Sequence, residues 1–132
     1  MKRYPLILSL IIMSAVMVAC GMKSLNQDEF VGTWRARDGG ELVLNIDGAF
    51  VARGLPSGVF FSPEKKGSLI NGAGNWTLQK RQDQWEIKLS FRSFDGKPAS
   101  YGVPLNVMNS EEIFRWEDDE GGARYELRKQ KN

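Results

Sequence analysis

Few side chains in this chain are of types that do covalent or metal chemistry. Cys20 is the only thiol, and there is no histidine. The commonest general base and the commonest metal ligand are therefore missing. Ser62 and Ser68 lie close in sequence to Lys65 and Lys66, but a Ser/Lys pair works as a nucleophile and its base only when held in hydrogen-bond reach. The run Glu117-Asp118-Asp119-Glu120 offers the oxygens a hard cation takes, yet it lacks the EF-hand spacing. Asp and Gly residues also gather at turns for backbone reasons alone. Glu41, Glu86 and Glu126 read as outward and solvated. The chain is expected to be no enzyme, to hold no metal and to need no cofactor.

The one reactive group sits in a distinctive context. Lys2 and Arg3 make a positive start, Leu6 to Val18 is a mostly apolar run, and Met17-Val18-Ala19 leads into Cys20. The run has the length of a signal-peptide core and is too short to span a bilayer. This segment resembles the lipobox of bacterial lipoproteins, with Met17 standing where Leu is usual. The resemblance implies cleavage before Cys20, a diacylglyceryl group on its sulfur and acylation of its new amine. Gly21, rather than Asp, implies passage to the outer membrane of a Gram-negative cell. The expected organisation is a signal peptide over residues 1–19, a lipidated cysteine and tether over 20–29, and a folded domain over 30–132.

Loss of the leader removes Lys2 and Arg3, which cancels the formal charge of +2. The mature chain thus carries no footprint for nucleic acid and no polybasic patch for anionic lipid, so the acyl chains must provide the anchor. With Cys20 acylated the domain has no thiol for a disulfide, and packing and strand pairing must hold it together. The remaining length suits a single domain with one modest core.

From Phe30 on, short alternating segments are separated by turn residues. Strands are expected over Phe30–Arg37, Glu41–Ile46, Ala49–Arg53, Asn75–Lys80, Gln84–Phe91, Tyr101–Met108, Ile113–Glu117 and Ala123–Lys129. Asp47-Gly48 is a two-residue hairpin signal. Trp85, Ile87, Leu89 and Phe91 share one face, and Tyr101, Val103, Leu105 and Val107 another. Pro104 within that last strand marks an edge or a bulge. Gly32-Thr33-Trp34 and Gly74-Asn75-Trp76 open two similar hairpins. Ser24 to Phe30 could make one helical turn. The fold class expected is all-β: a small eight-stranded antiparallel up-and-down barrel, whose interior side chains fill or nearly fill. A β-sandwich is the rival arrangement.

Phe30-Val31-Gly32-Thr33-Trp34 is similar to the Gly-x-Trp signature of lipocalins and lipocalin-like barrels. The resemblance implies that Trp34 plugs one barrel end and that a basic residue of the last strand, Arg124 or preferably Arg128, packs across it and donates to nearby carbonyls. A second likeness, carried by Gly32-Thr33-Trp34, Asp47-Gly48-Ala49-Phe50, Gly74-Asn75-Trp76 and Gly122-Ala123-Arg124-Tyr125, is to uncharacterised bacterial lipoproteins. It implies a fold and a location, and no activity.

Candidate binding residues follow from the barrel. The connection from Gly54 to Gly74 is long for a hairpin and carries Val59-Phe60-Phe61. Either it forms a lid or apolar anchor over the barrel mouth, or Phe60 or Phe61 folds into the core while Leu69-Ile70 continues a strand. Trp76, Trp85 and Trp116 either line a pocket or belong to the core. The expected role is non-catalytic binding by a membrane-anchored envelope protein. The occupant is a small apolar or amphipathic ligand or, alternatively, a protein partner of an inhibitor or immunity type.

Overall fold

A computed structural model describes residues 25–61, 67–117 and 121–131. The leader, Cys20, Gly21 to Ser24, Ser62 to Lys66 and Asp118 to Glu120 lie outside the described residues, and with them the Ser/Lys and acidic-run candidates. A 3₁₀ turn over Gln27–Phe30 leads into eight strands: β1 Gly32–Ala36, β2 Glu41–Leu44, β3 Ala49–Pro56, β4 Leu69–Arg81, β5 Gln84–Phe94, β6 Lys97–Asn109, β7 Glu112–Trp116 and β8 Arg124–Lys129. A four-residue helix, α1 Ser57–Phe60, lies between β3 and β4. Each strand pairs antiparallel with the next, and β8 returns to β1 to close the barrel. The chain is an all-β, closed, antiparallel up-and-down barrel, an arrangement consistent with a lipocalin-like fold.

Turn chemistry explains the hairpins. Between β2 and β3 the Asp47 carboxylate accepts the Ala49 N–H at 2.9 Å, and Gly48 takes the left-handed φ of +92° that such a turn requires. Two further hairpins turn on residue pairs with positive φ, Gln82-Asp83 and Asp95-Gly96, the geometry that suits the twist of the flanking strands. Asp95-Gly96 extends β5 and β6 beyond the expected ends at Phe91 and Tyr101. At the other margin β3 runs on to Pro56 and β4 begins at Leu69, not Asn75, so the expected long connection shortens to residues 57–68. Gly72, Ala73 and Gly74 lack the large side chains that would have shown the alternation.

The inward positions alternate along every strand. Trp34, Leu42, Leu44, Phe50, Trp76, Ile87, Leu89, Phe91, Leu105 and Leu127 are all 1% exposed or less. Phe50 and Phe91 meet edge to face at 4.9 Å, a favourable aromatic geometry. They meet over a register shift at Ala73/Gly74, where the bare glycine lets β4 approach β5. At about 25 cal/mol per Å² of apolar surface removed from water, large rings of this kind dominate the stability of a small domain that has no disulfide.

Pro104 is not in a bulge of the β5–β6 register, where it pairs with Lys88, but it does stand at a local edge. It lies before the β6–β7 ladder, which begins at Asn106. On that side β6 has no strand to receive a donor, so the missing proline N–H costs nothing there.

Candidate functional site

The strand directions define two ends. The chain enters at one end, beside the β2–β3, β4–β5 and β6–β7 turns and the last residue of β8. At this closed end the Trp34 ring is fully buried, stacks on Phe30 with centroids 6.0 Å apart and donates from Nε1 to the Phe30 carbonyl at 2.9 Å. The plug role expected of Trp34 fits this position. Its expected basic partner does not. Arg128 points outward, its side chain 68% exposed, and pairs with Glu112 at 3.4 Å. Arg124 is also outward, 2.8 Å from Glu126. The residue that reaches across the plug is Lys129, whose backbone pairs with Trp34 and whose Nζ donates to the Glu29 carbonyl at 2.7 Å. Side chains alternate in β8, so Tyr125, Leu127 and Lys129 face inward while Arg124, Glu126 and Arg128 face out.

The remaining tryptophans divide between core and surface. Trp76 is 1% exposed and donates from Nε1 to the Asn45 carbonyl at 2.9 Å. Trp85 is half-buried at the start of β5, with the Lys80 ammonium 5.8 Å from its ring. Trp116 is the most open of the four, at 45% exposed. It packs edge to face on Phe114 at 5.3 Å, and Phe114 is covered in turn by the Arg124 guanidinium at 4.7 Å. This aromatic and arginine platform lies outside the barrel.

At the opposite end α1 closes the mouth. Phe60 is fully buried against Tyr125, with centroids 5.5 Å apart. Phe61 stacks between Tyr101 at 4.9 Å and Phe94 at 4.6 Å, and the Tyr101 hydroxyl donates to the Phe61 carbonyl at 2.9 Å. Arg115 fixes the segment from beneath: Nε donates to the Val59 carbonyl at 2.7 Å and Nη1 to the Pro104 carbonyl at 3.0 Å. Burial pulls its guanidinium below the ordinary arginine value, though neutral pH leaves it charged. Val59, Phe60 and Phe61 are thus a packed cap and not an open lid.

One groove stands out on the exterior. Beside the end of β1, it has a volume of about 860 Å³ and is lined by Arg35, Arg37, Asp38, Arg124, Glu126 and Arg128 among others. Its floor is pinned by Tyr125, whose hydroxyl donates to the Asp38 carboxylate at 2.8 Å. Burial, and then that hydrogen bond to an anion, raise the phenol above its ordinary value, so the hydroxyl keeps its proton at physiological pH. Across the rim Arg53 and Arg35 flank Glu41 at 2.8 and 3.2 Å. The Arg53 hydrogen bond is the main cause of the depression of the Glu41 carboxyl below its ordinary value.

Sequence reasoning missed Lys129, Arg115 and the groove. Lys129 was within reach, since it continues the inward alternation of Tyr125 and Leu127. The groove was not, because it depends on how two strands from opposite ends of the chain diverge. Among the described residues no group of three or more His, Cys, Asp or Glu is placed to hold a metal ion. The arrangement offers shape, charge and aromatic surface, which are means of binding. Searches against protein-family models, curated proteins and solved structures find no match to this chain.

Proposed function

We propose that this chain is a membrane-anchored envelope lipoprotein that acts by non-catalytic binding of a protein partner on the outside of its barrel. One observation carries the choice of partner. The largest inward side chains, Trp34, Trp76, Phe50 and Phe91, are each 1% exposed or less and pack on neighbouring core groups. A lipid-sized ligand would have to displace rings that together form the core. The binding surface is therefore the exterior, where Trp116 and the arginine-lined groove are accessible. Small ligand binding inside the barrel is the weaker reading.

The anchor rests on the leader and Cys20. Each buried acyl methylene contributes about 0.8 kcal/mol, so two or more chains hold a protein stably at a bilayer. A tether of a few residues extends at most about 3.3–3.6 Å per residue, so the closed end with Trp34 sits near the membrane and α1 faces away. On the Gly21 reading that membrane is the outer one, with the barrel in the periplasm.

Replacing Cys20 by Ser is expected to abolish the acylated, cleaved form. Intact mass spectrometry of membrane and soluble fractions reads this directly. A Cys20→Ser chain that is still cleaved before residue 20 and still membrane-bound would remove the lipoprotein reading.

A further inference from the structure

The barrel grips the segment that leads into it. Leu25 packs against the core. The Gln27 side-chain oxygen accepts the Leu78 N–H at 3.3 Å, and the Glu29 carbonyl accepts the Lys129 ammonium at 2.7 Å. The chain is thus fixed to the closed end from Leu25 onward. Cys20 stands five residues before it, a stretch that reaches at most about 18 Å even when fully extended. With Cys20 acylated, the closed end cannot leave the neighbourhood of the lipid headgroups.

Two large apolar side chains at that end are exposed. Ile46 is 74% exposed, on the tip of the β2–β3 turn that the Gly48 N–H closes onto the Asn45 carbonyl at 3.0 Å. Turns favour Gly, Pro, Asn, Asp and Ser for backbone reasons, so the turn itself does not account for a β-branched apolar residue there. Met108 is 46% exposed and stands in the register shift between Val107 and Asn109, beside the β6–β7 turn. Lys80 and Trp85 meet beside the β4–β5 turn, and both are types that settle at a membrane–water interface.

We propose that the closed end is a bilayer contact surface, with Ile46 and Met108 entering the headgroup layer. This rests on the lipoprotein reading and gives it an orientation. Apolar contact, not charge, makes the attachment. The turns at this end carry both signs, Asp47, Asp83 and Glu111 beside Lys80, Arg81 and Lys131, so repulsion of the acids by anionic lipid offsets attraction of the bases. Two apolar side chains alone bind a bilayer weakly. The anchor makes their contact intramolecular and raises their effective concentration at the surface, which turns a weak contact into a lasting orientation. Trp116, at the end of β7, and Leu69, at the start of β4, lie at the opposite end and face away from the membrane.

The test uses the acylated chain in phosphatidylcholine vesicles, part of whose lipid carries a doxyl quencher near the headgroup. Acylation occupies the Cys20 sulfur, so Ile46→Cys, Met108→Cys and Leu69→Cys each offer one free thiol for a fluorophore. All three positions are exposed, where substitution costs little stability. Labels replacing Ile46 and Met108 are expected to be quenched by the doxyl lipid, and their quenching by aqueous iodide to fall severalfold below that of the label replacing Leu69. Added phosphatidylglycerol leaves this contrast unchanged. Equal iodide quenching at the three positions, on chains that float with the vesicles, overturns the proposal while the anchor stands. Protection that requires the anionic lipid overturns the apolar contact. A chain whose intact mass shows no acyl groups removes the anchor, and the proposal with it.

Discussion

Trp34→Ala is expected to destabilise the barrel by about 3–5 kcal/mol, the usual cost of deleting a fully packed large ring. The expectation follows from what the ring does at the closed end. It fills the space beneath the 3₁₀ turn, stacks on Phe30 and satisfies the buried Phe30 carbonyl through Nε1. Alanine leaves a cavity, and the carbonyl has no donor in its place. Small domains have a total stability of about 5–15 kcal/mol, so this variant stands near the limit of folding at ambient temperature. Trp34→Phe separates the two effects. It keeps most of the apolar volume and strands only the carbonyl, for a cost of about 1–3 kcal/mol. Urea unfolding of both variants reads the difference, with the slope unchanged and the midpoint lowered. A cost below about 1 kcal/mol for Trp34→Ala would mean that the ring is not the plug described above.

Gly74→Ala is expected to be nearly as damaging, although it adds only one methyl group. A Cβ at this position would overlap the Ser90 carbonyl oxygen and lie 3.0 Å from the Arg92 nitrogen. Both are backbone atoms of β5 and cannot rotate away. The two strands would have to separate where Phe50 and Phe91 pack. Loss of ladder bonds together with disturbed ring packing gives a cost of about 3–4 kcal/mol. Gly102→Ala is the control, since its Cβ would meet only the flexible end of Lys88, 3.3 Å away. That variant should stay within about 0.5 kcal/mol of the parent, less the ordinary strand preference against glycine. Thermal unfolding monitored by circular dichroism compares them. Each kcal/mol lowers the midpoint by about 4–8 °C in a domain of this size. Equal midpoints for Gly74→Ala and Gly102→Ala would show that β4 and β5 do not approach as described.

The two glycines also show where the sequence was opaque. Barrel class, strand number and chain direction were readable, because Leu42/Leu44 and Ile87/Leu89/Phe91 alternate visibly and Asp47-Gly48 announces its turn. Leu69-Ile70 was readable as strand in one of two alternatives, but Gly72 to Gly74 was not, since small residues carry no hydrophobic period and are there to let backbones approach. Asp95-Gly96 carried a hairpin signal as strong as Asp47-Gly48, but the strands on either side were ended too early to meet it. The plug residue Trp34 came from a local motif, which a sequence displays. Its partner depended on the inward phase of β8: Arg128 and Lys129 are adjacent in sequence yet face opposite sides. Val59-Phe60-Phe61 read as lid or as core, and the core reading is the one met, with Arg115, distant in sequence, holding the segment by the Val59 carbonyl. The groove is less legible still, because it exists only through the register at which β1 and β8 part.

Native mass spectrometry of the full-length gene product, purified gently from the cells that make it, asks whether the barrel interior is filled by its own side chains with binding confined to the outside. With a filled barrel on the proposed anchor, the expected mass is that of the cleaved, acylated chain, alone or with a bound protein, once detergent is removed. A small apolar molecule that stays bound after detergent loss, and that is expelled when the protein unfolds, would contradict it.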